Sequence, residues 1–77
     1  MIQPVHVRMA RAALDWTVAD LAERAGINKN TVTRYEAGKG ILSTTLQAIE
    51  EVLAREGVVF EEDDRTYRIT IRKPRPK

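Results

Sequence analysis

Seventy-seven residues give room for one small domain with a single modest core, which excludes a multidomain enzyme. With 43% hydrophobic and 31% charged residues the composition is globular rather than disordered, and no stretch approaches the ~20 apolar residues of a membrane helix. The net charge is +2, there is no cysteine, and His6 is the one histidine. Disulfides, thiolate metal sites and a nucleophile-base-orienter triad are therefore out of reach, and neither a cofactor nor a metal is expected.

The opening MIQPVHVRMARAAL has no basic region followed by an apolar run, so no signal peptide is read and a cytoplasmic location is expected. Pro4 suits a first helical turn, and Val7, Ala10 and Leu14 recur at helical spacing, which predicts a helix over residues 4–14. Asp15 and Trp16 break it. Thr17 followed by Asp20 forms a capping pattern, and Val18, Leu21, Ala22 and Ala25 make an apolar stripe, so a second helix is expected over 18–25.

Gly26 suits the left-handed position that closes such a helix, and Asn28 can cap a third over 29–37, with Ile27, Val32 and Tyr35 inward. Ser43 or Thr44 should cap a fourth helix carrying Leu46, Ile49 and Leu53, with Gly57 as its terminator. After Gly57 the apolar period changes to two: Val58 and Phe60, then Tyr67, Ile69 and Ile71 against Arg68, Thr70 and Arg72. Two strands joined near Asp63 and Asp64 are expected. The tail 73–77, with two prolines and no apolar residue, reads as an extended, basic, flexible end.

The pair of helices around Gly26 carries the most specific pattern. Ala22 is small where two helices must cross, Gly26 permits positive φ in the turn, and Ile27, Val32 and Tyr35 seal the second helix from beneath. With Arg11, the run Trp16 to Gly38 and Thr45-Leu46, the segment from Arg11 to Ala54 resembles the Cro/C1-type (XRE) helix-turn-helix family of DNA-binding regulators. Val18 stands where that family commonly has Gln, and Ile41-Leu42 stands where it has Pro-Ser.

The resemblance implies a mainly α, lambda-repressor-like domain of four helices, followed here by a C-terminal β-hairpin. Residues 1–57 would form the DNA-binding domain, 58–72 a hairpin packed on it, and 73–77 the tail. It further implies that Lys29, Asn30, Thr33 and Arg34 contact bases, and that Arg11 pairs with Glu36 to tie the first helix to the end of the third. The chemistry agrees, since Arg and Lys can donate to guanine and Asn can pair with adenine. Phosphates would be met by the helix starts at Thr17 and Asn28 and by Lys39.

Blander readings stand beside these. Trp16 and Tyr35 are expected in the core rather than on bases, and His6 on the solvated surface. The acidic run Glu61 to Asp64 lacks the spacing and glycine of a calcium loop and reads as a solvated turn. Arg65, Arg68 and Arg72 could face DNA or merely protect an exposed strand edge. The expected function is a sequence-specific, non-enzymatic transcriptional regulator, a repressor, that inserts helix 29–37 into the major groove of double-stranded DNA as a homodimer. The hairpin is the candidate dimer surface. The alternative is an antitoxin or other interaction module, with a toxin as protein partner.

Overall fold

The computed structural model describes residues 2–72, which form α1 (Pro4–Leu14), α2 (Val18–Ala25), α3 (Lys29–Glu36), α4 (Ser43–Arg55), β1 (Val58–Glu62) and β2 (Tyr67–Ile71). The expectation for residues 73–77 lies outside the described part of the chain. Pro4 takes the first helical position, where its missing N–H and preset φ cost nothing. Asp15 ends α1 at φ 59°, a left-handed conformation that Asp tolerates better than most residues, and the Trp16 N–H returns to the Arg11 carbonyl at 2.8 Å.

Thr17 and Asp20 then cap α2 reciprocally. The Asp20 N–H donates to Thr17 Oγ1 at 3.0 Å, and the Thr17 N–H donates to the Asp20 carboxylate at 2.8 Å. Gly26, at φ 68°, closes α2, and the Ile27 N–H reaches back to the Ala22 carbonyl at 2.9 Å. Asn28 Oδ1 accepts from the Asn30 N–H at 2.7 Å and opens α3.

Helix α3 stops at Glu36 rather than Ala37, because Gly38 turns to φ 90° and the Lys39 N–H closes onto the Arg34 carbonyl at 2.9 Å. The start of α4 also differs from expectation. Ser43 is already helical, and the cap position belongs to extended Leu42, whose hydrocarbon side chain offers no acceptor. The early start is set by the Leu42 carbonyl, which accepts from the Leu46 N–H at 2.9 Å and so directs Leu46, Ile49, Val52 and Leu53 inward.

The two strands pair antiparallel, with Val58 opposite Ile71 and Glu62 opposite Tyr67. Asp63 organises the turn between them: its Oδ1 accepts from the N–H groups of Arg65 and Thr66, and its Oδ2 from Thr66 Oγ1. These hydrogen bonds, the one from the Arg65 N–H first, hold the Asp63 carboxyl below its ordinary range. The acidic run thus spans the end of β1, with Glu61 and Glu62, and the turn, with Asp63 and Asp64. Among the described residues no cluster of His, Asp and Glu is arranged to hold a metal ion, and no helix is long and apolar enough to cross a membrane.

One core joins helices and hairpin. Val7 and Ala10 of α1, Leu21 of α2, Val32 of α3, and Ile49 and Leu53 of α4 are wholly buried. Each of the larger ones contributes about 1.5–3 kcal/mol by leaving water. Helix α2 lies against both α3 and α4, α1 against α3 and β2, and β1 against α4. Phe60, Ile69 and Ile71 are half-buried against the same core, so the hairpin's apolar side chains already face the helices and Tyr67, 50% exposed, is the main exception on β2.

His6 is the largest departure from expectation. It is buried, not solvated. Its Nδ1 accepts from the Gln3 N–H at 3.0 Å and its Nε2 lies 2.8 Å from the Glu61 carbonyl, while its ring meets Phe60 and Tyr67 edge-on. Because Gln3 must be the donor at Nδ1, the ring proton sits on Nε2 and donates to Glu61. The hairpin, which arrives last in the chain, covers a residue that α1 alone would leave in water.

Candidate nucleic-acid interface

Helix α3 has two unlike sides. Val32, Tyr35 and Glu36 are buried, at spacings of three and four residues, whereas Lys29, Asn30, Thr33 and Arg34 are all exposed. The outward side is thereby cationic and carries no acid, since Glu36, the helix's one carboxylate, points inward. The Tyr35 hydroxyl donates to the Ile2 carbonyl at 3.1 Å, and burial, with a smaller contribution from Glu50, raises its pKa. Its aromatic ring is packing.

Two arginines of α1 hold the far end of α3. Arg11 Nε and Nη2 donate to the two Glu36 carboxylate oxygens, at 2.6 Å each, and Arg11 Nη1 donates to the Trp16 carbonyl at 3.0 Å. The hydrogen bond to Glu36 raises the Arg11 pKa, against the opposing effect of burial. Arg8 Nη1 donates to the Glu36 carbonyl oxygen. Both the side chain and the backbone of the last residue of α3 are therefore fastened, the second by a contact for which helical spacing gave no signal.

The two helix starts expected to meet phosphate are exposed but differ in charge. At α2 the Thr17 N–H and Oγ1 are already engaged with Asp20, whose carboxylate sits in the first turn. That negative charge opposes an incoming phosphate. At α3 there is no acid in the first turn, and Asn28 engages only the Asn30 N–H through its side chain. The positive end of that helix dipole is open to an anion. Lys39 is exposed in the loop that follows α3.

A groove of about 210 Å³ separates α3 from the start of α4, lined by Thr31, Arg34, Gly40, Ile41, Leu42 and Thr45. Leu42, 74% exposed, forms its rim. The Arg24 guanidinium of α2 stacks over Trp16 at 4.4 Å, so the half-buried indole is covered by a cation rather than left for a base.

A family model described as helix-turn-helix matches residues 7–58, a span that runs from the buried Val7 of α1 to the first residue of β1. No curated protein matches the chain at a significant level.

Proposed function

Because the chain belongs to the Cro/C1-type helix-turn-helix family of DNA-binding domains, we propose that it is a sequence-specific transcriptional repressor that lays α3 in the major groove of double-stranded DNA. The observation that carries this reading is the cationic, acid-free outer side of α3, held outward by a sealed underside and a fastened C-terminal end. Lys29, Asn30, Thr33 and Arg34 read base edges; Asn28, Lys39 and, with the weaker local field, Thr17 meet phosphates. Arg11 and Glu36 keep the reading helix in position and touch no DNA.

In this reading residues 1–57 are the DNA-binding unit, with 58–72 packed onto it. Two copies bind together, because one helix makes too few contacts for operator affinity, and their half-sites lie about one helical turn, 34–36 Å, apart. The cytoplasm is the place of action. Titration of labelled protein with duplex DNA at low ionic strength tests the proposal: amide signals from Lys29 to Arg34 should move first and furthest. Signals that stay in place with both random and selected duplexes would end it.

A further inference from the structure

Among the described residues, Leu42 is the large hydrophobic side chain most open to solvent. Val59 and Tyr67, each about half-exposed, belong to the hairpin, so Leu42 is the one that stands beside α3. Folding gives no reason for a leucine at this position. It covers no core, and as the residue before α4 it withholds the oxygen that a serine or aspartate would offer the first turn.

The residue is nonetheless anchored on both sides. Ile41 before it is half-buried against the core, and its own carbonyl accepts from the Leu46 N–H at 2.9 Å. An apolar group is thus presented to solvent on a fixed stretch of backbone, and covering it requires little further ordering of the chain. Its neighbours limit what can cover it. Arg34 and Thr31 of α3 and Thr45 of α4 share its groove, and no carboxylate lines that groove. Arg34 is exposed on the cationic side of α3. Such a surface suits nucleic acid, and in the major groove of DNA one base-edge group is apolar, the C5-methyl of thymine.

We propose that Leu42 is a specificity-determining residue of the DNA interface, packing on the C5-methyl of a thymine within about two base steps of the base that Arg34 contacts. The proposal rests on the regulator reading above and adds to it an apolar contact from outside α3. Arg34 supplies hydrogen-bond donors, and Leu42 supplies a surface that cannot hydrogen-bond at all. That incapacity is what selects. Cytosine lacks the methyl and sets an amino group near its place, and a purine offers N7 at the same edge, so against either base the leucine would cover a polar group with hydrocarbon. A serine at this position would meet all of these bases about equally.

Leu42→Ser supplies the test, because it removes the hydrocarbon and leaves a residue able to cap α4. Selection from random duplexes should differ between parent and variant at one position of each half-site, where the parent takes thymine and the variant accepts any base. Uracil then replaces each thymine of the parent's selected site in turn, which deletes a methyl group and nothing else. At the position set by Leu42 the parent should bind roughly 3- to 5-fold more weakly per half-site, and Leu42→Ser should bind the thymine and uracil duplexes alike. The uracil series on the parent needs no variant, so it decides the matter even if the serine protein were poorly folded. A parent indifferent to uracil at every position, a thymine preference kept in a folded Leu42→Ser, or a loss on that variant shared equally by random DNA would overturn the proposal. Sequence-selective binding with moving Lys29 to Arg34 amides would, in each of those cases, leave the regulator reading standing without Leu42. Absence of binding to every duplex would end both.

Discussion

Arg11 on α1 and Glu36 at the end of α3 meet through two parallel hydrogen bonds of 2.6 Å, with 19% of the arginine side chain and 8% of the glutamate accessible to solvent. Planar guanidinium against carboxylate is the geometry that fixes an angle as well as a distance. Glu36→Ala strips the pair and leaves a mostly buried cation facing an apolar gap. The expected loss is about 2–4 kcal/mol, below the top of the range for a fully buried pair because Arg11 keeps some water. Urea unfolding measures it. Arg11→Lys should recover only part of the stability, since one ammonium cannot span both oxygens.

The division between reading and positioning residues predicts two different losses. Arg34→Ala should reduce discrimination at one base step by about 1–3 kcal/mol and leave binding to random DNA nearly as it was. Lys39→Ala should weaken all sequences alike and lower the slope of log affinity against log salt by about one. Fluorescence anisotropy on selected and random duplexes at several salt concentrations checks both. Identical behaviour of the two variants would contradict the assignment.

Leu42 precedes α4 without offering an acceptor to its first turn, while most of its side chain lies in water. Leu42→Ser supplies the missing oxygen and sacrifices little burial. Stability should rise by about 0.5–1 kcal/mol, read as a higher thermal midpoint. Leu42→Asp should stabilise similarly but bind duplex DNA less tightly, because it adds a negative charge to the groove that Arg34 shares. A fall in midpoint for both would mean that Leu42 does more than end the loop.

Asp20 gives the pH dependence. The Thr17 N–H, and then the Thr17 hydroxyl, hold its carboxyl below the usual carboxylate range. A folded-state pKa lower than the unfolded one contributes stability that is present above the unfolded value and lost as pH falls through the folded value. Asp20→Asn should therefore lower the thermal midpoint at neutral pH, and the gap to the parent protein should close below pH ~4. A gap that persists undiminished in acid would assign the effect to packing instead.

Local chemistry made most of the architecture readable. The bounds of α1 and α2 follow from Pro4, the Thr17 and Asp20 cap and Gly26, and the shift to a two-residue period announced the hairpin. Apart from the Arg11 to Glu36 pair, which the family resemblance implied, contacts between elements far apart in sequence were not readable. His6 is polar and near the chain start, so it looks solvated until Phe60, Glu61 and Tyr67 come back over it. The Leu42 cap was missed because Ser43 and Thr44 are better capping residues, and the inward demand of Leu46 outweighed that preference. At the candidate interface, the outward placement of Lys29, Asn30, Thr33 and Arg34 follows from the spacing of Val32, Tyr35 and Glu36. The differing electrostatics of the two helix starts required knowing which atoms Asp20 and Asn28 engage.

Only Glu56 and Gly57 separate the last turn of α4 from β1, and a Cβ at Gly57, whose φ is 85°, would stand 3.2 Å from Arg72 Cβ. There is no slack at this junction. If two copies are joined through their hairpins, each hairpin acts as a rigid arm, and the angle at Gly57 is transmitted in full to the separation of the two reading helices. Operator spacing would then be a fixed dimension of the protein, and lengthening the chain after Gly57 would trade that single spacing for a loose range of them.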